Sequence, residues 1–226
     1  LTAAAFPLAV KRWESGDQTG ALHQLAINGS MLFGLLAPTT VGVVMVAGPL
    51  VDLLIAEPFR AATVVILPLA VLTGALRNQR THHFDQVFLL SARTSRLISF
   101  NLIEALGTTV GALWGILLAQ TGIGALVGAT LGCLAGTALG AGVTAVEAIR
   151  TCGLRPQWGA WARVLVACAI MAGVLAVVPW RAGVWGLAAE IGTGIVVYGA
   201  ALALLFPDLV GHLKARVQAR VGGRGQ

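Results

Sequence analysis

Four polar side chains with groups that can bind charged ligands follow an apolar run over residues 61–76. They are Arg77, Arg80, His83 and Asp85. Arg77 and Arg80 are three residues apart, so on an α-helix they share a face and can pair bidentately with a phosphate-type anion. A cytoplasmic loop would also hold arginines, because such loops carry an excess of positive charge. The sequence leaves both interpretations open.

A carboxylate and an amide, Glu104 and Asn101, lie one helical turn apart in a second apolar stretch. Glu104 is about 12 Å into this stretch if the helix starts near Arg96. A carboxylate inside a membrane span can carry a coupling proton or cation, or it can hydrogen-bond a neighbouring helix. We therefore take Glu104 and Asn101 as candidate ion-coupling residues. Glu190 is nearer the end of its helix, and we expect it at the membrane interface.

The histidines and cysteines do not indicate a metal site. His82 and His83 would point about 100° apart on a helix, which argues against a metal held by both. The three cysteines have no CxxC spacing and no histidine cluster, which argues against a zinc site and a disulfide framework. We predict no metal, no cofactor and no enzymatic reaction.

The composition requires that membrane helices position these side chains. Of 226 residues 57% are hydrophobic and 11% charged, against about 25% charged in a soluble domain. Apolar runs occur along the whole chain, at residues 26–51, 61–76, 97–118, 123–146, 164–178 and 184–206. The second run covers only about 24 Å as a helix, so either this helix continues through the polar residues towards residue 90, as we expect, or those residues form a cytoplasmic loop. The fold class predicted is all-α, a polytopic transmembrane bundle of about six spans.

The basic residues are distributed unevenly between the two sides of such a bundle. With six crossings, 13 of the 15 Lys and Arg residues fall on one side and two, Arg60 and Arg181, on the other. The positive-inside rule then predicts that both ends of the chain are cytoplasmic. Basic residues dispersed over loops, without stacking aromatics, argue against nucleic-acid binding.

Glycine recurs every fourth residue in two neighbouring apolar runs, which predicts closely packed helices joined by the turn Gln120-Thr121-Gly122. Chance repetition in an Ala- and Gly-rich sequence is the alternative, and it is harder to sustain for the longer row. The first row is Gly107, Gly111 and Gly115, and the second is Gly124, Gly128, Gly132, Gly136 and Gly140.

Several short motifs occur in a characteristic order over residues 4–146. They are Ala5-Phe6-Pro7, Leu36-Ala37-Pro38, Pro49-Leu50-Val51-Asp52-Leu53-Leu54, Phe59-Arg60-Ala61-Ala62, Ile66-Leu67-Pro68, Asp85-Gln86-Val87-Phe88-Leu89-Leu90 with Arg93-Thr94, and Gly122-Ile123-Gly124-Ala125. In this order the chain resembles the polysaccharide flippases of the multidrug/oligosaccharidyl-lipid/polysaccharide exporter superfamily, the Wzx-like O-antigen translocases.

The resemblance implies a carboxy-terminal half: a lobe over residues 1–163, a terminal helix pair over 164–210 and a basic cytoplasmic tail over 211–226. Because the chain starts at Leu1 rather than Met, we expect a fragment whose partner is the missing N-terminal lobe of the same transporter. The implied activity is translocation of a lipid-linked oligosaccharide or polysaccharide unit across the bacterial cytoplasmic membrane by alternating access. The ligand of Arg77, Arg80, His83 and Asp85 would be a polyprenyl-pyrophosphate-linked glycan.

Two other functions stay open. A multidrug exporter of the same superfamily would favour acidic and aromatic cavity residues, and the span 26–51 has no acidic residue. A membrane scaffold of a glycan-assembly complex would transport nothing, and neutralising cavity arginines would leave its function intact.

Overall fold

The computed structural model describes residues 2–119, 122–179 and 182–207, with side chains from Phe6 onward, and this part of the chain consists of helices joined by short connections. No strand occurs in these ranges. The elements are α1 (Thr2–Glu14), α2 (Gln18–Leu54), α3 (Glu57–Gln79), a π-helical turn (Arg80–Phe84), α4 (Asp85–Leu90), α5 (Thr94–Ala119), α6 (Gly122–Cys152), α7 (Trp158–Val177) and α8 (Val184–Leu205).

Six of the helical segments are long and apolar enough to cross a membrane. One of them is the continuous segment Glu57–Leu90, of 34 residues, which contains α3, the π-turn and α4. The prediction of an all-α polytopic bundle with six spans is confirmed, as is the continuation of the second span through its polar residues. Residues 120 and 121 of the predicted turn, and the predicted basic tail 211–226, lie outside the described residues.

Two connections between helices are shorter than the polar stretches of the sequence predict. The polar residues 11–24 predict a loop that leads into a helix, but α1 continues to Glu14 and α2 begins at Gln18. Asp17 caps α2 by accepting a hydrogen bond from the Gly20 N–H at 2.9 Å, which satisfies one of the free donors of the first turn. The polar stretch between the apolar runs 123–146 and 164–178 predicts a loop over residues 147–163, but the connection covers only residues 153–157, where Gly153, at φ +71°, follows the end of α6.

Helix α2 is the central element on one side of the bundle and packs on α1, α3, α7 and α8. On the other side α6 packs between α3 and α5, while α5 contacts α6 extensively and α4 lightly. A buried hydrophobic cluster lies where α1, the start of α2, the π-turn with α4, and the end of α6 with the connection after it meet; it includes Phe84, Phe88, Ala148 and Leu154. Many large apolar side chains elsewhere are exposed, as expected for helices that face lipid.

The two glycine rows bring α5 and α6 into backbone contact. Gly107 lies against Gly136, Gly111 against Gly132, and Gly115 against Gly128, so the two helices are antiparallel. A Cβ at Gly111, Gly132, Gly115 or Gly128 would overlap the backbone of the opposite helix. Gly124 differs, because a Cβ there would meet only Ala119, at ordinary contact distances of 3.5 Å and more. The close-packed part of the second row therefore begins at Gly128.

Candidate functional site

A change of helical period brings the first two groups of the candidate site together. The Asp85 N–H donates to the Arg80 carbonyl, five residues back, which is the hydrogen bond of a π-turn. In a regular α-helix residues five apart lie about 140° from each other. The wider turn returns Asp85 to the face of Arg80, and Arg80 Nε donates to Asp85 Oδ1 at 3.4 Å.

Glu104 of α5 connects both arginines across the interface between helices. Arg77 places Nε and Nη2 each at 2.9 Å from Glu104 Oε1, and Arg80 Nη1 donates to Oε2. Arg80 Nη2 also donates to Asn101 Oδ1 at 2.5 Å. The structure therefore joins the predicted anion-binding arginines to the predicted ion-coupling pair. We call this set the arginine–carboxylate cluster: Arg77, Arg80, Asp85, Asn101 and Glu104.

The two arginines differ in exposure, which indicates a structural role for the buried one and a ligand-binding role for the exposed one. The side chain of Arg80 is 1% exposed and that of Glu104 is 7% exposed, whereas 63% of the Arg77 side chain is exposed. Buried charges are tolerated when they are paired and hydrogen-bonded. All three donor nitrogens of Arg80 have partners in the cluster, so Arg80 positions its neighbours. Arg77 keeps an exposed guanidinium and can reach a ligand.

A cavity of about 300 Å³ lies against the cluster and is lined by Arg77, Arg80, Thr81, Asn101, Glu104 and Ala105. Its polar lining can hold water and an ionic headgroup. The cluster contains two guanidinium and two carboxylate groups, so its formal charge with all four ionised is zero. An anion that enters the cavity therefore has to compete with Glu104 for Arg77.

Packing between α5 and α6 fixes the position of Glu104. Gly140 lies opposite Glu104, one step beyond the pair formed by Gly107 and Gly136. A Cβ on Gly140 would come within 2.7 Å of the Glu104 Cβ. The absence of a side chain at Gly140 therefore allows the carboxylate to enter the helix interface beside Arg80.

His83 lies apart from the cluster, although the sequence predicts one site for it and for Arg77, Arg80 and Asp85. It is 1% exposed and packs against Gly29 of α2, where a Cβ would overlap its ring. Gln79 Nε2 donates to the Gly29 carbonyl at 3.1 Å and lies 3.2 Å from His83 Nδ1. The ring also contacts Phe84 and Trp161, so His83 packs α3 and its π-turn against α2 and α7.

Other arginines near this end of the bundle have different surroundings. Arg96 forms an ion pair with Glu147 of α6. Arg93, in the connection before α5, is exposed and has no ion pair among the described residues. These two arginines lie outside the lining of the cavity beside the cluster. Arg93 is therefore a suitable control for substitutions of Arg77.

Comparisons of the chain with protein-family models, with curated proteins and with solved structures gave no match. The fold and the geometry of the arginine–carboxylate cluster are therefore the basis for assigning a function.

Proposed function

We propose that this chain is part of a flippase that moves a lipid-linked oligosaccharide or polysaccharide unit across the bacterial cytoplasmic membrane. The observation that carries the proposal is the ion pair between exposed Arg77 and buried Glu104, beside a polar cavity in a bundle of membrane-spanning helices. Arg77 lies 20 residues after the start of α3, or about 30 Å along its axis. This distance matches the thickness of the hydrocarbon layer, so the cluster would lie at one mouth of the translocation path.

The pyrophosphate of a polyprenyl-linked glycan suits the exposed guanidinium of Arg77, because a planar guanidinium pairs bidentately with phosphate oxygens. Binding would exchange Glu104 for the ligand as the partner of Arg77. Arg80 stays with Glu104, Asp85 and Asn101, so the carboxylate that Arg77 leaves retains a cationic partner.

The same exchange provides a route for coupling to an ion. Protonation of Glu104, or a cation bound to it, would weaken its attraction for Arg77 and free the guanidinium for the ligand. In alternating access the two ligands would then favour the same state of the transporter. The excess of basic residues on this side supports a cytoplasmic position for this mouth and for the C-terminus.

Binding of undecaprenyl pyrophosphate to the chain in nanodiscs tests the proposal. Arg77→Gln removes the exposed guanidinium, and Arg93→Gln is the matched control outside the cavity. Loss of one charged bidentate contact should weaken binding about 10- to 100-fold, and Arg93→Gln should leave it unchanged. A double substitution of Arg77 and Arg80 is unsuitable, because removing buried Arg80 would disturb folding as well as binding.

The second part of the test measures glycan on the cell surface with the full-length protein. Arg77→Gln should reduce surface display strongly, while Arg93→Gln should support normal display. If Arg77→Gln binds undecaprenyl pyrophosphate as tightly as the wild type, the assignment of the site is wrong. If its binding is lost but display is normal, the chain acts as a scaffold rather than as the flippase.

A further inference from the structure

A second cavity lies on the opposite side of α2 from the arginine–carboxylate cluster, between α2, α7 and α8. Its volume is about 450 Å³. Most of the lining is apolar, and Leu35 and Ile195, which are 55% and 68% exposed, lie in both the lining and the outer surface of the bundle. The cavity is therefore reachable from the lipid.

One ionisable carboxyl group, Glu190, lines this apolar cavity. Its position near the helix end predicts an interfacial group, but the residue is only 4% exposed and lies on the face of α8 that is buried in the bundle. Among the described residues it has no hydrogen-bond or ion-pair partner. A buried carboxylate without a partner is costly in an apolar environment, so a cationic partner would stabilise its charged form.

The other polar side chains of the lining are already engaged. Tyr198 donates its hydroxyl hydrogen bond to the Gly34 carbonyl at 2.6 Å, and Thr39 donates to the Leu35 carbonyl at 2.7 Å. The lining contains no lysine, arginine or histidine. A phosphate or carboxylate ligand would therefore find no cationic partner there, whereas an ammonium group would find Glu190.

We propose that this cavity binds a lipophilic amine that has a hydrocarbon chain and no phosphate. The ammonium group pairs with Glu190, which lies about 9 Å from the start of α8. The hydrocarbon chain of the amine extends along the apolar lining towards Gly34 and Tyr198. Tyr198 lies about 12 Å further along α8 than Glu190. The site is separate from the arginine–carboxylate cluster, and the proposal does not depend on the flippase function.

Photolabelling in proteoliposomes tests the proposal with two probes, dodecylamine carrying a diazirine in its chain and the alcohol of the same chain. Labelled positions are mapped by mass spectrometry. The amine should label residues of α2 and α8 in this cavity, with half-saturation at a concentration about tenfold or more below that of the alcohol. Glu190→Gln should remove this difference by raising the half-saturation concentration of the amine.

Two glycines of α2 provide a matched test of the cavity volume. A Cβ at Gly42, which lines the cavity, or at Gly48, which does not, would meet no atom within 4 Å. Gly42→Leu should therefore fill the cavity and suppress labelling by both probes, whereas Gly48→Leu should leave labelling unchanged. Equal half-saturation for amine and alcohol in the wild type, or unchanged amine labelling in Glu190→Gln, would overturn the proposal.

Discussion

The Glu104 carboxylate reaches Arg80 because Gly140, on the facing helix, has no side chain. A Cβ at Gly140 would lie 2.7 Å from the Glu104 Cβ, so Gly140→Ala should displace Glu104 and weaken its ion pairs. Overpacking of this kind costs about 1 to 3 kcal/mol. Thermal unfolding in detergent should show a lower midpoint for Gly140→Ala. Gly142→Ala is the control, because its Cβ would meet no atom within 4 Å; equal midpoints for the two variants would contradict the packing described here.

Arg80 and Arg77 should differ in their effects on stability. Arg80→Gln leaves the buried Glu104 carboxylate with fewer partners and should lower the free energy of unfolding by about 3 to 5 kcal/mol. Arg77→Gln removes a largely exposed partner and should cost about 1 kcal/mol or less. Denaturant unfolding in micelles measures both. In the double variant Arg80→Gln/Glu104→Gln, part of the loss should be recovered; a double variant less stable than Arg80→Gln would count against the buried pairing.

Two glycines of the same row should respond differently to alanine. Gly132→Ala places a methyl group against the backbone of Gly111, whereas Gly124→Ala makes only an ordinary contact with Ala119. Gly132→Ala should therefore destabilise the α5–α6 hairpin by about 1 to 3 kcal/mol, and Gly124→Ala should be neutral or slightly stabilising. Thermal unfolding compares them. Similar losses of stability in the two variants would mean that membership of the four-residue glycine repeat, rather than backbone contact with α5, determines the loss.

The orientation predicted from charge can be tested at two short connections. Gln157 precedes α7 and Gly183 precedes α8, and α7 separates them. After replacement of the three native cysteines, a cysteine at position 183 should react with an impermeant maleimide in intact cells. A cysteine at position 157 should react only after the membrane is permeabilised. The reverse pattern would invert the topology and place the arginine–carboxylate cluster on the outer side of the membrane.

The spans could be predicted because hydropathy and length decide them, and all six candidate helices occur where apolar runs were found. The position of Asp85 on the same face as Arg80 could not be predicted, because a 3.6-residue period places the two on different faces. The π-turn returns Asp85 to the face of Arg80. Glu104 was found from its depth in a span, but its partners are 24 and 27 residues away in the chain. Their contact depends on how α5 and α6 pack against α3.

The inward direction of the Glu190 side chain could not be predicted from the sequence either. Its distance from the helix end suggested an interfacial group, and hydropathy carries no information on which side of a helix faces a neighbour. The side chain points inward because α8 packs this face on α2 and α7. Only the assembled bundle shows that the surrounding hydroxyl groups are already engaged.

The interlocked glycines have a mechanical consequence for the ion pair between Arg77 and Glu104. Since the backbones of α5 and α6 touch from the Gly107–Gly136 pair to the Gly115–Gly128 pair, sliding one helix along the other would bring their backbone atoms too close together. The two helices should therefore resist sliding and move together as one unit. A motion that separated Glu104 from Arg77 would have to move α5 and α6 together, relative to the α3 surface on which α6 packs.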